Sequence, residues 1–338
     1  MRQGGGADGG SGARRHNPLL AFALRRLGSG ALLLLLVATA TFALVSFAPG
    51  DIASRLSDPR IPPAARERWR QHFGLDRPWP ERYGEWLGAA VRGDFGTSWL
   101  HHRGVGAVLG EAVPRTLLLT SVGLLLELAG GIALALSQIR RPHGTADRTI
   151  TVVTLAAYAM PTFVVALGLV YLFSFRLGLF PASHLLSPEG EMATGWRRVA
   201  DLLHHLVLPA VAVGVAGAGA VARYVRGSLL DERTQGYIVA ARARGCSQWR
   251  ATLVHALPNS LLPLITMVGL SIPFLVSGSL VVEVVFAWPG MGLAMYNAAL
   301  ARDVPMLMGG TVVATVAVVV GNLVADIAYA AADPRIRL

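Results

Sequence analysis

Lysine is absent from this 338-residue chain: all 30 basic residues are arginine. That absence excludes a Schiff-base lysine and an S-x-x-K nucleophile. It also excludes a G-x-x-x-x-G-K-[ST] phosphate loop, whose lysine must reach the β- and γ-phosphates. Any ATP used by the protein is therefore bound by another chain. Cysteine occurs once, as Cys246, so an internal disulfide and a cysteine-based metal cluster are excluded as well. Charge is scarce: 15% of residues are charged and 53% are hydrophobic, where a soluble domain carries about 25% charged residues. There is too little charge to cover a water-facing surface of this size, and the class implied is a membrane protein.

A membrane helix needs about 20 largely apolar residues to cross roughly 30 Å of hydrocarbon. Six stretches qualify: about 27–48, 116–139 (interrupted by Glu127), 150–175, 206–222, 261–282 and 305–332 (interrupted by Asp326). The expected fold is an all-α polytopic membrane protein of six transmembrane helices. Arg25 and Arg26 before a leucine run give the first stretch the look of a cleaved signal peptide. Its length and the five spans after it read instead as a retained signal-anchor helix.

Orientation follows from arginine in the short loops. Arg140, Arg141 and Arg148 crowd the connection after span two. Arg223, Arg226, Arg233, Arg242, Arg244 and Arg250 follow span four. Placing these in the cytoplasm puts both termini there too, and the +10 formal charge becomes a cytoplasmic excess facing anionic lipid and a protein partner, with no call for nucleic acid. Residues 1–18, Gly-rich and polar, are expected to be a disordered cytoplasmic tail. The extracytoplasmic segment 49–110 holds Trp69, Phe73, Trp79, Tyr83, Trp86, Phe95 and Trp99. It reads as short amphipathic helices at the outer interface, serving as anchors or as a docking surface.

The cytoplasmic loop 226–260 is the most informative segment. A short helix is expected over 237–244, with Gly245 as its left-handed stop and Ser247 capping a second helix that Pro258 interrupts. Ala240, Ala241, Gly245 and the Leu257–Pro258 pair make a small-residue surface that permits close approach by another protein. An ordinary topology-fixing basic loop explains the arginines but not this spacing.

Those residues resemble the E-A-A-x3-G-x9-I-x-L-P pattern of permease subunits of binding-protein-dependent ABC importers. Val239 stands at the Glu position and His255 at the Ile position. Ala240, Ala241, Gly245, Leu257 and Pro258 match. The run Y-x-x-A-A-R-A-x-G followed by H-A-L-x-N-x-L-L-P resembles the peptide/nickel branch, first membrane subunit. Further short matches run from about Leu24 to the end, among them Ala48-Pro-Gly-Asp51, Phe73-Gly-Leu-Asp-Arg-Pro78, Glu283-Val-Val-Phe-Ala-Trp-Pro-Gly290, Ala301-Arg-Asp303 and Asp333-Pro-Arg-Ile-Arg337.

The resemblance implies the type I ABC importer permease fold in a bacterial inner membrane. It also implies a coupling helix seated on an ATPase, and alternating access driven by ATP and Mg on two partner ATPase subunits. A second permease subunit and an extracytoplasmic substrate-binding protein complete the implied assembly. Carried over by position, Tyr237, Ala240, Ala241, Arg242, Arg244, Gly245, Leu257 and Pro258 make the ATPase contact. No catalytic residue, bound cofactor or metal ligand is expected of this chain. The implied cargo is di- or oligopeptide, or alternatively nickel or another metal chelate.

The candidates for a path or gate are Glu127, Pro161, Pro273, Glu283 and Trp288. An intramembrane carboxylate is costly and should face a partner helix or water. For Glu127 the choice lies between path lining and a structural bond, and for Glu283 between interfacial capping and an outer gate. Pro161 and Pro273 break spans three and five, as hinges or static kinks. Gly214, Gly217 and Gly219 read as helix packing, and Asp326 as a packing carboxylate. The paired His101–His102 and His204–His205 point in different directions on a helix and read as interfacial polar groups. Two other classes compete. An intramembrane enzyme lacks a motif here, and an ion-driven secondary transporter would often show inverted repeats, which are not evident.

Overall fold

The structure, a computed structural model, describes residues 18–47, 62, 77–277 and 280–332. The expected disordered tail thus falls outside the described residues, apart from Pro18, which opens the first helix. So do Trp69, Phe73 and the terminal Asp333–Arg337 motif.

Every long apolar stretch is helical. Helix α1 (Pro18–Phe47) is followed outside the membrane by α2 (Trp79–Val91). Helix α3 runs Val105–Arg140, α4 Thr145–Ala159 and α5 Thr162–Leu169, which ends in a π-helical turn over Val170–Arg176. The short α6 (Pro188–Met192) leads into α7 (Trp196–Glu232), and the short helix α8 covers Gly236–Ala243. Then come α9 (Leu257–Ser277), α10 (Leu280–Val285), α11 (Met291–Ala301) and α12 (Val304–Ala332). Among the described residues, α1, α3, α7 and α12 are each long and apolar enough to cross a bilayer, and α4 with α5 forms a bent fifth segment. The 21-residue α9 occupies the place of the fifth expected span.

Two helices exceed their expected spans. Helix α3 starts eleven residues before Thr116, carrying Pro114 in its interior. Helix α7 extends ten residues beyond 206–222 at each end. The apolar run measures only the part in hydrocarbon, whereas the backbone ladder continues into water wherever polar side chains satisfy themselves. On α3 these ends carry an outer network in which Glu111 pairs with Arg103 and reaches Arg115 at 3.9 Å.

Helices α3 and α7 share the most extensive contact, followed by α9 with α12 and α1 with α12. Glycine makes the first contact possible. A Cβ at Gly123 would lie 2.5 Å from Val213 Cγ1, one at Gly131 2.5 Å from Val221 Cβ, and one at Gly214 2.9 Å from Leu126 Cβ. Gly214 of span four thus packs closely, as the sequence predicts, and Gly123 and Gly131 of span two, which the sequence reading did not single out, bring the two backbones together as well. Helix α1 packs on α12 through Gly30 against Val319 and through an Arg26–Asp326 ion pair of 3.0 Å, which gives Asp326 its packing role. At the outer end, Phe42 of α1 meets Trp79, Tyr83 and Trp86 of α2 with ring centroids 5.3–5.6 Å apart, and Thr39 bonds the Tyr83 hydroxyl at 2.6 Å. The expected amphipathic outer helix is thus present, and its rings clasp α1.

Candidate functional site: the cytoplasmic loop and the buried polar groups

Helix α8 sits where a short cytoplasmic helix was expected. Its end is fixed by Gly245, whose φ of +91° is left-handed, a region that costs residues with a Cβ. The Gly245 N–H donates to Arg242 O at 2.9 Å and the Cys246 N–H to Ala241 O at 3.2 Å, closing the last carbonyls. Ser247 then caps the next turn, its hydroxyl accepting from Arg250 N at 3.4 Å. A glycine Cβ at 245 would meet nothing within 4 Å, so this corner is open surface.

The two faces of α8 differ. Ile238 is buried against Val225, Leu229, Ala251 and Ala256, and Ala241 is buried as well. Tyr237, Val239, Ala240, Arg242 and Arg244 are exposed. Ala241 therefore belongs to this chain's own core and offers no surface to a partner. Tyr237 is tied down: its hydroxyl bonds Glu232 and accepts from Asn259 Nδ2 at 2.8 Å. Burial and the Glu232 carboxylate hold the Tyr237 phenol above its usual range, with Asn259 opposing. Burial and the Arg242 charge both push the Arg233 guanidinium down.

The second helix does not stop at Pro258. A single turn (Gln248–Arg250) passes through a π-helical stretch (Ala251–Ala256) directly into α9, with Leu257 half-buried and Pro258 exposed. Proline lacks an N–H and its ring clashes with the carbonyl four residues back. The wider π turn before it relieves that clash without ending the helix. The loop also starts later than 226, because α7 persists to Glu232.

Arg226 has a role that charge counting missed. Asp147, buried at the start of α4, accepts from Arg226 Nε at 2.8 Å and Nη2 at 2.6 Å. It also accepts from Gln138 Nε2 at 2.9 Å and His143 N at 2.8 Å. This bidentate clamp fastens the ends of α3, α4 and α7 just above α8. The pair is 79 residues apart in sequence. The only local signal was an acidic residue in the first turn of a helix.

Glu283 and Trp288 are fully buried. Glu283 accepts from Thr116 Oγ1 at 2.8 Å and Leu293 N at 3.0 Å. Its carboxylate occupies the space that Gly290 and Gly292 leave free. Trp288 Nε1 donates to Arg115 O at 3.0 Å, and Ala287 takes a left-handed φ of +46° to make the turn. The E-V-V-F-A-W-P-G run is thus a knot joining α3, α10 and α11. In this structure both side chains are enclosed within the chain itself. Outside it, buried Asp303 caps α12 at Met306 N (3.2 Å) and accepts from Leu100 N (2.9 Å) and Ser98.

Glu127 is half-buried on α3 with its carboxyl laid over Gly217 of α7, where a Cβ would come within 2.0 Å of Cδ. Among the described residues it has no hydrogen-bond partner. Pro161 separates α4 from α5 by a 107° bend. Met160 is forced extended before it, and the break read from the sequence is there. Pro273 lies inside α9, which continues through it, so the break expected in span five does not occur. His204 Nε2 bonds Leu179 O and His205 Nδ1 bonds Asp201 O, each at 2.8 Å. Among the described residues no group of three or more His, Cys, Asp or Glu side chains could hold a metal ion.

Known proteins match this sequence almost end to end. The family described as the binding-protein-dependent transport system inner membrane component matches residues 128–338, and its N-terminal companion matches 19–120. The chain belongs to this permease family. It is 38% identical to the oligopeptide transport system permease protein AppB of Bacillus subtilis over 320 residues, covering 94% of this chain and 99% of that one. It is 35% identical to OppB, an oligopeptide transport system permease protein of Mycobacterium tuberculosis, covering 93% and 98%. It is 32% identical to the di/tripeptide permease DppB of Pseudomonas aeruginosa, covering 94% and 99%. A chain of the inward-facing MetNI methionine ABC transporter aligns with TM-score 0.51 at 20% identity, covering 67% of this permease and 96% of that chain. The permease is thus a multi-pass membrane protein of the type I importer fold.

Proposed function

We propose that this permease forms half of the translocation path of an ATP-driven importer for di- and oligopeptides. The reading rests on near-full-length similarity to peptide permeases. Its other half is a second permease subunit. Two ATPase subunits hold ATP and Mg on the cytoplasmic side, and an extracytoplasmic binding protein delivers the peptide. Both termini face the cytoplasm, so that α8 meets the ATPases. The exposed part of α8, with Tyr237, Ala240, Arg242, Arg244 and the open corner at Gly245, fits a groove on such a subunit. Small side chains allow close approach, and the guanidinium groups can fork onto carboxylates. Leu257 and Pro258 hold the turn that carries α8. Glu127 is the intramembrane group placed to face water or the second permease.

Co-expression and purification test this directly. The expected result is a complex of two permeases and two ATPases whose vesicles accumulate labelled peptide only with ATP and the binding protein. Uptake by this chain alone under an ion gradient would overturn the reading. Accumulation of a nickel chelate but not of peptide would replace the cargo.

A further inference from the structure

Beside α8 lies a cavity of about 410 Å³ lined by Arg140, Arg233, Gln248 and Trp249. Arg140 is in the last turn of α3 and its guanidinium lies over the Trp249 ring, 5.0 Å from the centroid. Stacked in this way, a guanidinium keeps its in-plane N–H donors for another ligand. Arg233, half-buried just past the end of α7, donates from Nη2 to Thr252 Oγ1 at 3.3 Å, while its Nε is buried with no acceptor. Among the described residues neither arginine pairs with a carboxylate. The charge that acts on Arg233 is that of Arg242, and it repels. Arg140 is exposed and Arg233 half out of water; with no counter-charge beside it, the buried part of Arg233 is unfavourable unless an anion joins the pair.

We propose that this cavity binds the phosphate headgroup of an anionic phospholipid of the cytoplasmic leaflet. The proposal rests on the topology given above. Three features favour a lipid as the source of the phosphate. Arg140 ends a membrane-spanning helix, so the cavity lies at headgroup depth. Trp249 is the aromatic residue favoured at that depth. Basic pockets between helices on this side are suited to anionic headgroups. The seated headgroup bridges the end of α3 to the Gln248–Trp249 turn, which leads straight out of the Gly245 corner of α8. It therefore braces the segment on which the ATPase contact depends.

The test uses the whole complex, permease with its partner subunits, purified with phosphatidylglycerol and phosphatidylcholine and examined by native mass spectrometry. Wild-type complex is expected to retain phosphatidylglycerol preferentially. The Arg140→Gln, Arg233→Gln double variant should lose about thirtyfold of that retention, as expected from removing two interfacial arginines. The Arg140→Lys, Arg233→Lys variant keeps the charge and should retain most of it, which separates loss of binding from misfolding. Undiminished retention in the glutamine variant overturns the proposal. Displacement by millimolar inorganic phosphate would assign the site to a soluble anion and also overturn it. So would loss of ATPase subunits from the glutamine variant with lipid unchanged, because the occupant would then be an acidic side chain of the partner. An inverted topology would show separately, as extracytoplasmic labelling of Cys246.

Discussion

Asp147 and Arg226 illustrate how much a single pair of side chains can hold. The carboxylate is buried and its bonds converge from α3, α7 and the loop before α4. Replacing Asp147 with Ala leaves a partly buried guanidinium without its partner, so the loss should be of order 3 kcal/mol. Thermal unfolding of the detergent-solubilised complex is the measurement, and Asp147→Asn should lose less. A second substitution pair separates surface from core on α8. Ala240→Glu places a charge on the exposed face and should leave the protein folded, with ATP hydrolysis continuing while peptide uptake falls. Ala241→Glu puts a carboxylate at a buried position and should reduce folded protein in the membrane instead. Equal folding and equal uptake in the two variants would contradict this division. The sequence pattern placed Ala240 and Ala241 together on the docking surface. One turn of helix rotates successive residues by about 100°, and only packing shows which of the two points inward.

At the scale of elements, helix existence was legible because apolar runs of the required length leave few alternatives. Their ends were not. The ends of α7 are polar and the N-terminal end of α3 packs into a separate apolar cluster with Met291, Ala298 and Met306, so what keeps both helical is long-range, as with Asp147 for α7. Glu283 and Trp288 were marked as gate candidates because they sit near an interface in sequence. Their burial follows from Gly290 and Gly292 folding back over the carboxylate, a contact no periodicity announces. Prolines divide in the same way. Pro161 breaks its span because the residue before it must be extended, and no neighbouring turn absorbs the defect. Pro258 is absorbed by the π turn Ala251–Ala256. Substituting Pro258 with Ala removes the reason for that turn, and the segment is expected to tighten towards α-helix, rotating α8 against α9. Spin labels at exposed Val239 and Leu262 should report a changed distance, and uptake per ATP hydrolysed should drop. An unchanged distance would show that the π turn has another cause.

For the molecule as a whole, topology has a native probe. Cys246 is unpaired, half-exposed and adjacent to Gly245, and it is the sole cysteine of the chain. An impermeant maleimide should label it in inside-out vesicles and leave it unlabelled in intact cells. Labelling from outside would invert the assignment of every loop. The arginine distribution that suggests this orientation was fully visible in the sequence. The partner-facing surface was visible only in outline, because half of each amphipathic helix in it turns back into the chain's own core.

The length of α7 has one further consequence. Its 37 residues span about 55 Å at 1.5 Å per residue, well beyond the roughly 30 Å of hydrocarbon. Its glycine seam binds it to α3, and the Asp147 clamp grips it near the end that leads to α8. The pair is therefore built as a lever arm with its fulcrum inside the bilayer. A tilt of about 10° would carry each end of such an arm roughly 5 Å, in opposite senses. Movement imposed at α8 would thus arrive at the outer mouth reversed in direction and nearly undiminished in size.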